Sequence, residues 1–184
     1  NVAKGGAEMN VGDVTIDQSI NYSKDQKAWV NNRKATGNQV RVNAVRELLS
    51  WFQGVARRRI DHYRGRHIAD TGDGVLAIFD SPGRAVICGG DLSETVKARD
   101  LQLRVGVHTG EVEWVGGNIR GREVHVAARV MAEASPGETL VTETTRSLAS
   151  GWGLEFEDRG ERTLKGLEGT WRLSALLTTQ PVHT

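Results

Sequence analysis

Between Val40 and Tyr63 the apolar residues Val42, Val45, Leu48, Leu49, Phe52, Val55 and Ile60 recur mostly at intervals of three and four, the spacing of one buried helix face. Two short apolar runs then flank Gly72-Asp73-Gly74, and Asp-Gly between such runs predicts a hairpin over 65–79. Ser81 followed by Pro82 opens a second helix over 81–96. Residues 101–108 alternate apolar and polar, as a half-buried strand does. A third helix over 122–134 stops at Ser135-Pro136-Gly137-Glu138, with Val124, Ala127, Ala128 and Met131 as its expected buried stripe. Three late strands follow over 139–143, 154–160 and 170–177, with a short helix over 144–150 between the first two. Ahead of all these, residues 12–17 read as a strand ending in Asp17, and 23–39 as a polar, irregular helix-loop arm.

This order predicts an α+β fold: a ferredoxin-like βαββαβ core with a mostly antiparallel sheet and helices on one face, extended by C-terminal strands. The chain's 184 residues suffice for one well-buried core, so 9–184 is expected to be a single domain, with 1–8 a fusion remnant or linker. An apolar fraction of 38% with 26% charged residues excludes a disordered tail, and a net charge of +1 argues against a basic nucleic-acid arm. Such a balance still allows an anionic ligand, because a few converging cations bind phosphate without shifting the total. Cys88 is the one cysteine, which leaves no disulfide framework and fits a reducing cytoplasm. No apolar run approaches the roughly 20 residues of a membrane helix, so no membrane partner is expected.

Three groups of residues carry candidate chemistry. Asp73 is either a turn residue, since Asp before Gly suits a type I′ turn, or a carboxylate held out on rigid backbone for a hard cation such as Mg²⁺. A metal needs a second acid, and Asp17 is the candidate; its plainer reading is an ordinary strand-terminating residue. His125 and Arg129 are four apart and share one face of the third helix. They are either a half-buried histidine and a solvated charge, or a cationic clamp for phosphate oxygens. Lys165 stands in a Gly-flanked turn between late strands, where a lysine can reach a polyphosphate or simply face water.

Taken together, Thr71 to Val86, Leu103 to Glu113, Gly121 to Val130, Ala134 to Thr142 and Leu154 to Leu173 resemble the catalytic domain of class III nucleotidyl cyclases, the adenylyl and guanylyl cyclase superfamily. The motifs stand in order and at family-like spacing from about Leu48 to Leu177, while the N-terminal third matches poorly and "VTIDQSINY" is the nearest counterpart of the family's first-strand acid motif. The resemblance implies a homodimer with two composite active sites. Asp17 and Asp73 of one protomer would hold two Mg²⁺ or Mn²⁺ ions. His125 would stand where many members have a ribose-orienting Asn, and Arg129 of the other protomer would stabilise charge on the α-phosphate. Lys165 matches the lysine on the outer phosphates, and the substrate would be a nucleoside triphosphate closed to its 3′,5′-cyclic nucleotide plus pyrophosphate.

Two positions depart from that pattern. Adenylyl cyclases of the family read the base with a Lys before Gly-Asp and with an Asp or Thr seven residues ahead of the ribose-orienting position. Here these fall on Ala69 and Asn118. Ala69 has no hydrogen-bonding side chain, Asn118 carries both donor and acceptor, and Asp70 alternates to the opposite strand face. The expectation is a pyrimidine cyclase using UTP or CTP to make cUMP or cCMP, a second messenger of antiviral defence, with Tyr22 packing on the small base. The alternatives are an adenylate cyclase making cAMP from ATP, and a catalytically silent cyclase-like binding module.

Overall fold

The computed structural model describes residues 13–19, 38–71 and 74–178. Along the chain they form β1 (Asp13–Ser19), α1 (Asn38–His62), β2 (Arg66–Asp70), β3 (Val75–Ile78), α2 (Pro82–Val96), β4 (Gln102–His108), β5 (Glu113–Val115), β6 (Asn118–Arg120), α3 (Arg122–Glu133), β7 (Thr139–Thr142), α4 (Glu143–Leu148), β8 (Glu155–Arg162) and β9 (Trp171–Thr178). Seven strands make one sheet in the order β2-β3-β1-β4-β7-β9-β8. Its first four, β2-β3-β1-β4, are all antiparallel and have the order of a ferredoxin-like βαββαβ unit. The pair β4–β7 is parallel, and β9 and β8 extend the sheet antiparallel, as the late apolar runs predict.

Strand alternation divides the sheet into two faces. Val75 and Ala77 of β3 and Leu103, Val105 and Val107 of β4 point to one face. They pack there against Phe52, Val55, Ala56 and Ile60 of α1 and Val86, Leu92 and Val96 of α2. The two helices of the core thus lie on one face, and the three-and-four periodicity of α1 is what buries its stripe. Ser81 caps α2, its Oγ accepting from the Arg84 N–H at 3.5 Å, with Pro82 in the first turn.

The third helix crosses the opposite face. Gly106, between Val105 and Val107, turns a bare backbone toward α3: a Cβ there would lie 2.3 Å from the Met131 nitrogen and 2.6 Å from the Ala127 carbonyl oxygen. The stripe expected for α3 is therefore corrected. Val126, Ala127 and Val130 are the buried residues, because Leu140 of β7, Leu173 of β9 and Leu164 of the turn after β8 pack beside the helix. Val124, Ala128 and Met131 are half-buried at its edge.

A small two-stranded element, β5–β6, was not anticipated. Glu113 pairs with Arg120, Trp114 with Ile119 and Val115 with Asn118, closed by Gly116 and Gly117 at φ of 58° and 79°. Trp114 and Ile119 pack with Ile68, Leu76, Ile78, Val112 and Val124 into a cluster on the α3 side of the sheet. The arm expected over 23–39 falls almost entirely outside the described residues.

Candidate active site

The α3 face of the sheet collects most of the candidate residues. His125 and Arg129 project from the exposed side of α3, one turn apart, while Val126, Ala127 and Val130 anchor the helix behind them. The pair is thus presented outward from a firmly packed support. No described carboxylate within ion-pairing distance neutralises Arg129.

Ala69 pairs with Leu76 across the β2–β3 hairpin, so it shares the face of the cluster that holds Trp114 and Ile119. Asn118, on the neighbouring β6, is exposed, and its Oδ1 already accepts from the Ile119 N–H at 2.8 Å. Its amide N–H groups and the second lone pair of Oδ1 stay available, so it can donate to or accept from an approaching group. Asp70 is turned away as the alternation requires: it accepts from Arg57 on α1 at 2.5 Å and contacts His67 Nε2 at 2.8 Å. A bulge between His67 and Ala69 lets Ile68 also reach the α3-side cluster.

The hairpin itself is present, with the Thr71 N–H donating to the Gly74 carbonyl at 2.9 Å across its tip. Asp73 and Tyr22 lie outside the described residues. Asp17 stands in β1, where Ile16 pairs with Val75 and the antiparallel sense carries Asp17 toward Gly74, the chain neighbour of Asp73. On its other side Asp17 is in register with Arg104 of β4. The described residues contain no cluster of three or more His, Cys, Asp or Glu side chains suited to a metal. As a donor set, two carboxylates offer the hard oxygens that Mg²⁺ and Mn²⁺ prefer, so the residue chemistry of Asp17 and Asp73 fits such an ion.

Lys165 is exposed in the turn after β8, where the Leu167 N–H closes on the Leu164 carbonyl at 3.0 Å and Gly166 takes a φ of 78°. Leu164 is buried among the α3 side chains Val126 and Val130, so this turn and α3 share one anchor. A cavity of about 330 Å³ lined by Ser93, Glu94, Lys97 and Leu176 lies elsewhere, between α2 and β9, and includes none of these groups.

Two groups escaped the sequence reading. Arg104 is half-buried and its Nε finds no hydrogen-bond partner among the described residues, an arrangement that is costly unless something polar approaches. His108, only 3% exposed, holds the Thr142 hydroxyl at Nδ1 (2.8 Å) and the Glu123 carboxylate at Nε2 (2.5 Å). Burial holds its pKa below the usual imidazole value, with Glu123 pulling the other way. Both lie in the alternating run 101–108, where a polar residue reads as a solvent-facing one; α3 covers that face instead.

The family model of the adenylate and guanylate cyclase catalytic domain matches residues 87–176. A Rhizobium meliloti protein named "Putative adenylate cyclase 3" is 32% identical over 130 residues, covering 66% of this chain and 22% of that protein. The chain thus spans about a fifth of that relative, and 33% of a mycobacterial one of equal identity. Among solved structures, the adenylyl cyclase CyaB of P. aeruginosa superposes with a TM-score of 0.75 at 20% identity, covering 94% of this chain and 95% of that one. The guanylyl cyclase Cya2 does so with a TM-score of 0.65 at 20% identity, covering 90% of each chain. One fold therefore serves proteins named for either purine activity, and the backbone alone does not choose the base.

Proposed function

Because the chain belongs to the adenylate and guanylate cyclase catalytic-domain family, we propose that it closes a nucleoside triphosphate to a 3′,5′-cyclic nucleotide, releasing pyrophosphate, in composite sites of a homodimer. The observation that carries this reading is the outward presentation of His125 and Arg129 on α3 together with exposed Lys165, hydrogen-bonding and charged groups aimed away from their own protomer's core.

In the reaction the ribose 3′-oxygen attacks the α-phosphorus, the bond from that phosphorus to the bridging oxygen of the β-phosphate breaks, and the hydroxyl proton passes to solvent. Arg129 offers its donor fork to charge developing on the α-phosphate, and a preorganised donor of this kind is worth about 10²–10³ in rate. His125 donates to the ribose and fixes its pucker for in-line approach. Lys165, with Arg104, neutralises the outer phosphates and so favours pyrophosphate as leaving group. Asp17 and Asp73 would hold the two Mg²⁺ or Mn²⁺ ions, whose chemistry is to acidify the 3′-hydroxyl and offset the triphosphate charge.

For the base we favour a pyrimidine, UTP or CTP, with cUMP or cCMP as the cytoplasmic second messenger and antiphage signalling as its setting. Ala69 offers no side-chain hydrogen bond, whereas Asn118 has amide N–H donors for the carbonyl oxygens of uracil and cytosine and an Oδ1 lone pair beyond its bond to the Ile119 N–H; Tyr22 would stack on the small ring. The second reading, ATP, is favoured by the name of the Rhizobium relative. Incubation with Mn²⁺ or Mg²⁺ and each of ATP, GTP, CTP and UTP, with the products separated by chromatography, decides. A cyclic pyrimidine nucleotide is expected. Product from ATP alone would overturn the pyrimidine reading, and product from none of the four would leave a silent binding module.

A further inference from the structure

We infer that His108 and Glu123 are positioning residues that set the rotation of α3, and with it the aim of His125 and Arg129; the kinetic part of this inference rests on the cyclase reading. Glu123 lies in the first turn of α3, two residues ahead of His125 and six ahead of Arg129. Its carboxylate meets His108 Nε2 at 2.5 Å, and the far side of the imidazole meets Thr142 at the end of β7. One ring therefore joins β4, β7 and the start of α3.

The hydrogen-bonding inventory fixes the direction of both bonds on the imidazole. A carboxylate accepts only, so the neutral imidazole carries its proton on Nε2 and accepts at Nδ1 from the Thr142 hydroxyl. Thr142 Oγ1 lies 3.2 Å from Thr145 Oγ1, whose one proton is shared with the Val107 carbonyl at 3.4 Å, and Thr145 Oγ1 meets the Thr109 hydroxyl at 3.0 Å. Thr109 is 8% exposed and Thr145 fully buried, so water does not compete for these bonds.

Three further contacts make this a locating device for the helix. Gly110 leaves the space that Glu123 occupies: a Cβ there would lie 2.5 Å from Glu123 Cγ. Arg122, the first residue of α3, lies over the Trp171 ring at 5.6 Å, and Trp171 meets the His108 ring edge-on at 5.8 Å. Gly106 brings the middle of α3 onto the β4 backbone. The helix is thus seated along its length by Gly106 and held in azimuth at its start by Glu123, whereas no described side-chain cap holds that end. A small rotation about the axis would swing the exposed side chains most, and a misplacement of about 1 Å can cost on the order of 100-fold in rate.

The experiment compares the full chain with Glu123→Ala, Glu123→Gln and the nearly isosteric Thr142→Val. Steady-state kinetics are read on the best triphosphate, the His108 imidazole N–H by NMR, and backbone exchange across 122–129 by hydrogen–deuterium exchange. Glu123→Ala is expected to lower kcat by about 10- to 100-fold with KM within about threefold. It should also abolish the downfield, slowly exchanging N–H signal and raise exchange at the start of α3. Glu123→Gln, whose amide oxygen still accepts, should keep that signal and recover most of kcat. Thr142→Val should lower kcat at unchanged KM while the protein stays folded, which guards against collapse of the alanine variant. Native kcat in Glu123→Ala, equal loss in Glu123→Ala and Glu123→Gln, or a loss confined to KM would overturn the inference. A wild-type protein inactive on every triphosphate would sink the cyclase reading; the N–H signal and the exchange at α3 would then decide the positioning role by themselves.

Discussion

Ala69 shows how far a single side chain carries the reading and where it stops. Its place on the α3 side of the hairpin follows from strand alternation and is observed, as is the diversion of Asp70 to Arg57. If the missing donor at Ala69 and the altered group at Asn118 set base choice, Ala69→Lys combined with Asn118→Asp should raise kcat/KM for ATP relative to UTP and CTP by about tenfold or more, because a site built around a hydrogen bond discriminates strongly. Competition assays over the four triphosphates check this, and an unchanged ratio would remove these positions from base reading. His108 was illegible for the opposite reason: a polar residue in an alternating strand reads as solvated, and only the tertiary placement of α3 buries it. Its burial has a pH consequence. The folded state keeps the imidazole neutral, whereas the unfolded chain takes up a proton below about pH 6.5, so acidification through that value favours unfolding. Urea midpoints measured between about pH 7.5 and 5.5 should fall in the wild type and fall less steeply in His108→Asn. Parallel slopes would contradict the buried neutral imidazole.

At the scale of elements, helices announced by long periodicity and a cap were legible: α1 by its apolar stripe, α2 by Ser81-Pro82, α3 by its stop before Pro136. The β5–β6 hairpin was not, because strands of three residues carry too few positions to show alternation. Its signal was there nonetheless, as Gly116-Gly117 between Val115 and Asn118: two positive φ values are what a two-residue type I′ loop demands. The rotation of α3 was misjudged because periodicity gives an apolar arc, and the neighbours on each side decide which part of that arc is covered. The seat of α3 makes its own prediction. Gly106→Ala forces a methyl against helix backbone that cannot swing aside, so it should destabilise the fold by about 1–3 kcal/mol, read from urea unfolding. It should also lower activity by moving α3. Wild-type stability would mean that the helix has slack there.

For the molecule as a whole, the sequence motifs conveyed a reaction class and a fold, while the geometry adds an asymmetry. His125, Arg129 and Lys165 stand exposed around α3, and Asp17 lies in β1 on the strand path leading to the Asp73 turn. Exposure of this kind on one protomer makes sense when a second copy supplies the other half of the site, so activity should rise faster than linearly with protein concentration wherever the dimer is only partly formed. The most direct test of that central claim is complementation. Asp73→Ala and Arg129→Ala, each inactive alone, are mixed in equal amounts under conditions where subunit exchange is verified, and cyclic nucleotide formation is measured. Random pairing makes about half the dimers mixed, each with one intact site of two, so activity should return to about a quarter of wild type. No recovery despite verified exchange would contradict a site shared between protomers.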